Sequence, residues 1–314
     1  MTQTRLIVVG SAAGGGFPQW NCNCQNCAAV RRGDARFQAR TQSSVAWSRD
    51  GANWLLFNAS PDILTQLRQC APLQPKHGKR DTGIAGVMLM DAQIDHVTGL
   101  IMLRENAGKL CLSASREVLE DLSNGFPITS LLAHYCGLEL NPIDIHRDTA
   151  GGPSALRWPW LRNAHVQVNP LQSKPPPYSP WRDNPRPGDN LGVMLVNEST
   201  GRQLFYAPGL GVIDDVVRER LHAADIVLVD GTFWTDDEMI EQGLGHKLAR
   251  QMGHLPLSGS GGLIEALREL PPTTRKILIH INNSNPILCN DSPQRQMLSQ
   301  LGIEVAFDNM EIEF

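Results

Sequence analysis

Residues 84–96 read IAGVMLMDAQIDH, and the fold turns on how they are read. Seven mostly apolar residues, 84–90, have the length and composition of a strand buried on both faces. The run stops at Asp91, and Asp91, Gln93, Asp95 and His96 follow within six residues. Open α/β sheets place their ligands outside such strand ends. Asp95 and His96 offer a hard oxygen and an imidazole, a usual donor pair for Zn or Fe. A turn with a helix-capping Asp has the same local pattern, so the reading depends on whether other strands end in the same way.

Two do. Residues 226–229 (IVLV) run into Asp230 in VLVDGTFW, and 276–279 run into His280 in KILIHINNSNPIL. A carboxylate behind four apolar residues is costly to bury unless it is paired or bound to a metal. Three separated strands thus deliver a metal-ligand type to what can be one edge of a sheet. Further apolar runs at 6–9, 44–48, 54–57 and 203–207 read as strands, and 62–69, 115–122, 213–223, 236–242 and 260–269 read as helices. Strands alternating with helices predict an α/β fold. Uneven spacing and short connections such as RDGAN at 49–53 predict mixed rather than purely parallel sheets.

The chain has 314 residues, 41% hydrophobic and 19% charged, which excludes wholesale disorder. At roughly 150 residues per domain this allows one large or two smaller domains. No repeat or linker is evident, so a single domain over 1–314 is expected. A formal net charge of −4 offers no basic excess for a long nucleic-acid footprint. No run approaches ~18 apolar residues, so no membrane span is expected. The first residues carry only Arg5 ahead of a four-residue apolar run, too short for the core of a signal peptide, which favours the cytoplasm. Whether the chain forms a homo-oligomer is left open. Residues 174–190 carry six of the 21 prolines and read as a rigid loop or a lid bearing Tyr178, Trp181 and Arg182.

Seven cysteines, an odd number in a long chain, do not resemble a disulfide framework. Cys22, Cys24 and Cys27 lie within six residues, a spacing that lets three thiolates converge on a tetrahedral Zn2+ at roughly 2.3 Å each. With no catalytic group beside them, a structural site is expected. Asn283, Cys289 and His254 are candidates for the fourth ligand. Just upstream, GSAAGGG at 10–16 fits no phosphate-binding fingerprint and instead predicts close backbone approach to a site.

The order Asp91-x-Gln93-x-Asp95-His96, Asp230, His280 resembles the metallo-β-lactamase fold superfamily, whose signature is H-x-H-x-D-H, a bridging Asp and a final His; Asn58 in LLFNASPD falls at the Asp of its first motif. Within it, GSAAGGGFPQWNCNC, DAQIDH, YAPGL, DGTFW, MGHLP and IHINNSNPIL are similar, over nearly the whole chain, to the B-protein family of pyrroloquinoline quinone (PQQ) biosynthesis. The resemblance implies a four-layer αββα sandwich. In the superfamily the two histidines of H-x-H hold one metal of a pair, and here Asp91 and Gln93 stand in their places. The other ligand set, Asp95, His96, Asp230 and His280, is intact. Two imidazoles, carboxylate and open positions suit non-haem Fe(II), although Zn2+ accepts the same donors.

The resemblance further implies an iron-dependent hydroxylase that inserts oxygen from O2 into the tyrosine ring of a cross-linked Glu–Tyr precursor. It implies His254 as proton relay or substrate contact, and Ser43, Ser44, Asp91 and Gln93 as substrate contacts. Arg40, Lys174, Arg182 and Arg186 are candidate cations for the substrate carboxylates. In related phosphodiesterases a His three residues beyond the last active-site His completes a three-Cys zinc site, and Asn283 holds that place. The alternative is a non-catalytic carrier of PQQ or its precursor toward the periplasm. A carrier has no need of the intact Asp-His, Asp and His set, and a hydrolase is disfavoured by Asp91 and Gln93.

Overall fold

Strands buried on both faces require layers on both sides, and the structure supplies them. The computed structural model describes residues 4–145 and 155–314. Its strands are β1 Arg5–Gly10, β2 Ser44–Ser48, β3 Trp54–Phe57, β4 Ile84–Met88, β5 Leu110–Ser115, β6 Leu138–Ile143, β7 Ala155–Leu156, β8 Ala164–Pro170, β9 Leu191–Asn197, β10 Gln203–Ala207, β11 Ile226–Asp230, β12 Arg275–Ile279, β13 Ile303–Val305 and β14 Met310–Glu313. Among the described residues they form two seven-stranded sheets, ordered β14-β1-β2-β3-β4-β5-β6 and β13-β12-β11-β10-β9-β8-β7. Both are mixed. β1 to β3 pair antiparallel and β3 to β6 parallel. β8 to β10 pair antiparallel and β10 to β13 parallel.

Because side chains alternate along a strand, each strand feeds two cores. Leu191, Val193 and Leu195 of β9 and Leu204 and Tyr206 of β10 meet Trp47, Leu55 and Phe57 of the other sheet, forming the core between the sheets. The alternate residues of the first sheet, Ile7, Val9, Ala46 and Leu56, pack under the helices Ile63–Gln69 and Arg116–Asn124. Those of the second, Val196, Phe205, Val227 and Val229, pack under the helices Asp215–Ala223, Leu263–Glu269 and Pro293–Gln300. Helix, sheet, sheet and helix thus make the four-layer αββα sandwich. Each fully buried Leu or Phe contributes roughly 1.5–3 kcal/mol relative to exposure, so the three cores rather than local propensity stabilise the short strands.

The expected strands are present within a residue or two. Helix starts shift toward their caps: Ser115 and Asp214 accept the N–H of Val118 and Val217 and stand outside the helices they begin. The expected helix at 236–242 contracts to Glu238–Glu241, stopped ahead of Gly243 at φ 64°, and that at 260–269 contracts to Leu263–Glu269, because Gly259 and Gly261 adopt positive φ. No described helix is long and apolar enough to cross a membrane. Residues 174–190 hold neither helix nor strand and connect β8 to β9. The carboxyl ends of β4, β11 and β12 open on one edge of the sandwich, and a bridge between Asp91 and Asn190 ties the chain after β4 to the entry of β9 in the other sheet.

Candidate metal centres

His96 lies on the one-turn helix Ile94–Val97 that follows β4. Its Nδ1 is 2.7 Å from Oδ1 of the buried Asp91, which also accepts the N–H of Gln93 at 2.9 Å. That contact fixes the ring and turns Nε2 inward, where it is buried without a hydrogen-bond partner, 3.7 Å from Asp95 Oδ2. His280, at the end of β12, sits at φ 62°, left-handed backbone that is strained for a non-glycine residue. Its Nε2 is 3.2 Å from the same Asp95 oxygen and its Nδ1 is 2.8 Å from Thr232 Oγ1. Asp230 is fully buried. Its Oδ1 accepts from the N–H and hydroxyl of Thr232, and its Oδ2 accepts from Leu210 N–H and faces His254 Nδ1 at 2.7 Å. One ligand atom from each of Asp95, His96 and His280 lies within 4.8 Å of the others, and the same holds for Asp230, His254 and His280. His280 therefore joins two triads. Its ring centroid is 5.2 Å from that of His96 and 5.3 Å from that of His254.

The donor set fits a bound cation. Burial alone would push the Asp95 carboxyl up, yet the neighbouring His96 and His280 hold it well below the usual range. Burial likewise works to lower His96, but Asp91 and Asp95 push it up to about 9. Two buried carboxylates, Asp91 and Asp230, and the half-buried Asp95 crowd the histidines and demand positive charge. The orphaned Nε2 of His96 is a buried polar atom whose missing partner a metal would supply. Above it opens a cavity of about 230 Å³, lined by Gly14, Gln93, Lys174, Arg182, Phe233 and Asn282 along with the cluster. A Cβ on Gly14 would come within 3.2 Å of Asp95 Oδ2, so the Gly-rich loop does approach this site as closely as its composition predicts.

The second cluster is built from the loop that leads into the helix Gln25–Arg31, with Cys24 as its N-cap, and from the first turn of that helix, which carries Cys27. One sulfur each from Cys22, Cys24 and Cys27 lies within 4.8 Å of the others. Burial would raise the Cys24 thiol, but the backbone N–H of Cys27 and the Cys22 side chain hold it below its ordinary value. Burial and the charge on Cys24 push Cys27 up to about 12. Three thiols this close cannot all ionise without a cation, which is the chemistry of a zinc site. The side-chain amide of Asn283 lies over the three sulfurs, its Nδ2 at 3.0 Å from Cys22, 3.6 Å from Cys24 and 3.4 Å from Cys27. The other two candidates for a fourth ligand are elsewhere: Cys289 Sγ is 2.9 Å from Asp291 Oδ1, and His254 is held by Asp230.

Comparison with known proteins places this geometry. The beta-lactamase superfamily domain matches residues 53–281. The coenzyme PQQ synthesis protein B of Cupriavidus necator is 57% identical over 309 residues, 98% of this chain and 99% of the relative. That of Methylococcus capsulatus is 52% identical over 307 residues, 98% of this chain and 99% of the relative. The chain belongs to the coenzyme PQQ synthesis protein B family. The crystal structure of Zn(2+)-bound PqqB from Methylobacterium extorquens superposes with a TM-score of 0.88 at 32% identity, covering 99% of this chain and 100% of that one. A diphosphatase of the PhnP family, at 18% identity, shares the fold with a TM-score of 0.66, covering 99% of this chain and 98% of its own.

Within this B-family frame the residues singled out from the sequence separate into three groups. Asp95, His96, Asp230, His254 and His280 come together. Asp91 and Gln93 are at the cavity but are turned to other partners: Asp91 orients His96, and Gln93 Nε2 donates to the carbonyl of Lys174 at 3.0 Å. Ser43 and Ser44 do not reach the cavity. Both are fully buried: Ser44 opens β2 with its hydroxyl donating to the carbonyls of Phe57 and Asn58, and Ser43 immediately precedes that strand. Arg40 is buried against Ser11 and the Ala306 carbonyl, and Arg186 is paired with Glu120 and Asp189. Asn58 at φ 60° supports the β4 end by accepting Met90 N–H at 2.9 Å.

Thr232 was not legible from the sequence, although it follows Asp230 by two. Its one hydroxyl proton cannot serve both neighbours, so donating to Asp230 makes Oγ1 the acceptor of His280 Nδ1–H and leaves His280 Nε2 as the inward lone pair. Thr232→Val is expected to weaken metal binding at this cluster about 10–100-fold with little change in zinc at the cysteines. Competition with a metal chelator, read by elemental analysis of each site, checks it.

The buried Glu238 accepts Trp234 N–H at 2.6 Å and the Ser284 hydroxyl, and burial pushes its carboxyl up to about 7. A folded-state value raised above the ordinary 4.5 favours folding fully below pH 4.5, and this contribution is lost as pH rises through 7. Glu238→Gln is therefore expected to flatten the decline in melting temperature between about pH 5 and 8. A decline that is equally steep in the variant rejects this.

Proposed function

We propose that the chain is an iron-dependent hydroxylase of PQQ synthesis, acting in the cytoplasm on the tyrosine ring of a precursor made from Glu and Tyr. The observation that carries the proposal is the buried, partnerless Nε2 of His96 within a cluster of imidazoles and carboxylates at the floor of a cavity. Asp95, His96, Asp230 and His280 would hold the metal, with His254 beside them as a proton acceptor, and two imidazoles with carboxylate and open positions are the set that suits Fe(II). The metal when bound would supply O2 activation. A structural zinc on Cys22, Cys24 and Cys27 belongs to the same reading, supported by the zinc bound to the Methylobacterium relative.

The protein's own groups define the rest. Asp91 fixes the ring of His96, and Thr232 fixes that of His280, so neither must reorganise during reaction. Phe233 packs edge-on to His254 with centroids 5.9 Å apart and gives the cavity an apolar wall against which an aromatic ring can stack. His254, held at Nδ1 by Asp230 and raised by that carboxylate against the effect of burial, can store the proton released from the ring carbon or a phenol oxygen. The strap at 174–190 limits access of bulk water.

The test is anaerobic loading with Fe(II), addition of the cross-linked Glu–Tyr compound and O2, and mass measurement of the product. A mass gain equal to incorporated oxygen is expected. An unchanged mass at full iron loading rejects the hydroxylase and leaves the carrier.

A further inference from the structure

We propose that Lys174 and Arg182 form a carboxylate-binding subsite on the wall of the active-site cavity, and that Gln93 is the residue that positions it. The ligand class is a small molecule bearing carboxylates. Its identification with the Glu–Tyr precursor rests on the hydroxylase reading.

Both cations line the cavity that opens over the His and Asp cluster. Among the described residues neither makes a salt bridge, although the strap on which they lie contains a cation that does. Arg186 bonds Glu120 at 2.6 Å and Asp189 at 3.1 Å and is structural. Arg182 instead spends one donor on the carbonyl of Pro175, and among the described residues its other N–H groups have no partner. It is half-buried, and burial presses its guanidinium down from its ordinary value. The charge of the neighbouring Asp183 offsets only part of that cost, without a salt bridge between the two, and the planar fork of Arg182 matches one partner best, a carboxylate held by two N–H groups. The opposite wall carries Asp91 and Asp95. A ligand with its ring toward the histidines and its carboxylates toward the strap places each charge against its complement.

The strap is held for this purpose at two places after the β4 end. Gln93 Nε2 donates to Lys174 O at 3.0 Å, and the Tyr178 hydroxyl donates to Ala92 O. The six prolines of 174–190 stiffen the segment between. Gln93 occupies a position where the superfamily signature has a metal-binding histidine, and the same place in the fold is used here to fasten the wall that carries the cations.

Binding is measured by calorimetry on zinc-loaded protein without turnover, using the cross-linked Glu–Tyr compound and its analogue with the glutamyl side-chain carboxylate converted to a carboxamide. Arg182→Gln is expected to weaken the carboxylate compound about 10–100-fold and the carboxamide far less, with partial recovery in Arg182→Lys. Lys174→Met, whose side chain makes no bond within the described chain, is expected to act in the same direction without loss of melting temperature. Gln93→Ala is expected to lower the carboxylate-to-carboxamide preference while metal content and melting temperature stay unchanged, which a merely structural role would not do. Variants that keep the wild-type preference, or a wild type without one, overturn the subsite. Failure of the hydroxylase is a separate outcome: the preference persists but no oxygen enters the bound compound.

Discussion

His280→Ala is expected to lower oxygen consumption on the Glu–Tyr precursor by at least about 100-fold, more than the 10–100-fold expected for losing an outer partner of a ligand. The size follows from geometry. His280 is the one side chain common to both ligand triads, so its removal leaves Asp95 without its nearest imidazole at 3.2 Å and breaks the link between the His96 side and the Asp230 side of the cluster. Active-site iron should fall in step with activity, and cysteine-bound zinc should not, because the two clusters share no ligand. His96→Ala should behave alike and has a second cost, since Asp91 is then a buried carboxylate without its imidazole. Metal analysis beside an oxygen-electrode assay checks both. A His280→Ala protein with wild-type oxygen consumption would sink the oxygenase reading and favour the carrier.

How much of this was legible in the sequence depended on burial. The strands β4, β11 and β12 were readable because each is a short continuous apolar run ending at a polar residue, and these are the strands that carry the site. β5 and β6 are hard to read because LCLSAS opens on three apolar residues and LELNPI carries a proline, so tertiary pairing makes them strands; β8 is different, since AHVQVN alternates apolar and polar residues and its strand signal stands in the sequence. β9, LGVMLVN, is fully buried and apolar, yet it follows the proline-rich strap and was passed over with it. At the site, ligand types were legible and orientation was not. Nothing in the spacing of Asp91, Gln93 and His96 says that the first turns to the third while the second reaches 81 residues along the chain to Lys174. Ser43 and Ser44 lie away from the cavity for the same reason, since sequence does not tell which way a residue at the start of a strand faces.

Cys24→Ala is expected to lose about one zinc per chain and to cost several kcal/mol of stability. Binding of a structural Zn2+ is apparent folding free energy of order 10 kcal/mol in isolated zinc-finger peptides, of which a large preformed core needs only a part. At this chain length each kcal/mol moves the melting temperature by about 2 °C, so a fall of roughly 5–10 °C is the expected scale. The effect should also spread to the active site. Asn26, in the helix begun by the cysteines, donates to the carbonyls of Asn283 and Asn285 at 3.0 Å each. The Asn283 amide is seated on the sulfurs themselves. These contacts hold the loop that begins three residues after His280, and His280 is kept at its strained φ of 62° by that loop on one side and by Thr232 on the other, whose carbonyl accepts Asn282 N–H at 3.1 Å and whose Oγ1 lies 2.8 Å from His280 Nδ1. Release of the cysteine cluster lets the loop relax and should weaken iron binding at the first centre without altering any of its ligands. The converse should not hold, because Thr232→Val leaves the cysteine loop and its bonds to Asn283 intact. Thermal melts with metal analysis of both centres in the two variants give the comparison. A Cys24→Ala protein that has lost zinc, melts as the wild type does and still binds iron normally would show that the cysteine cluster supports neither the fold nor the active site.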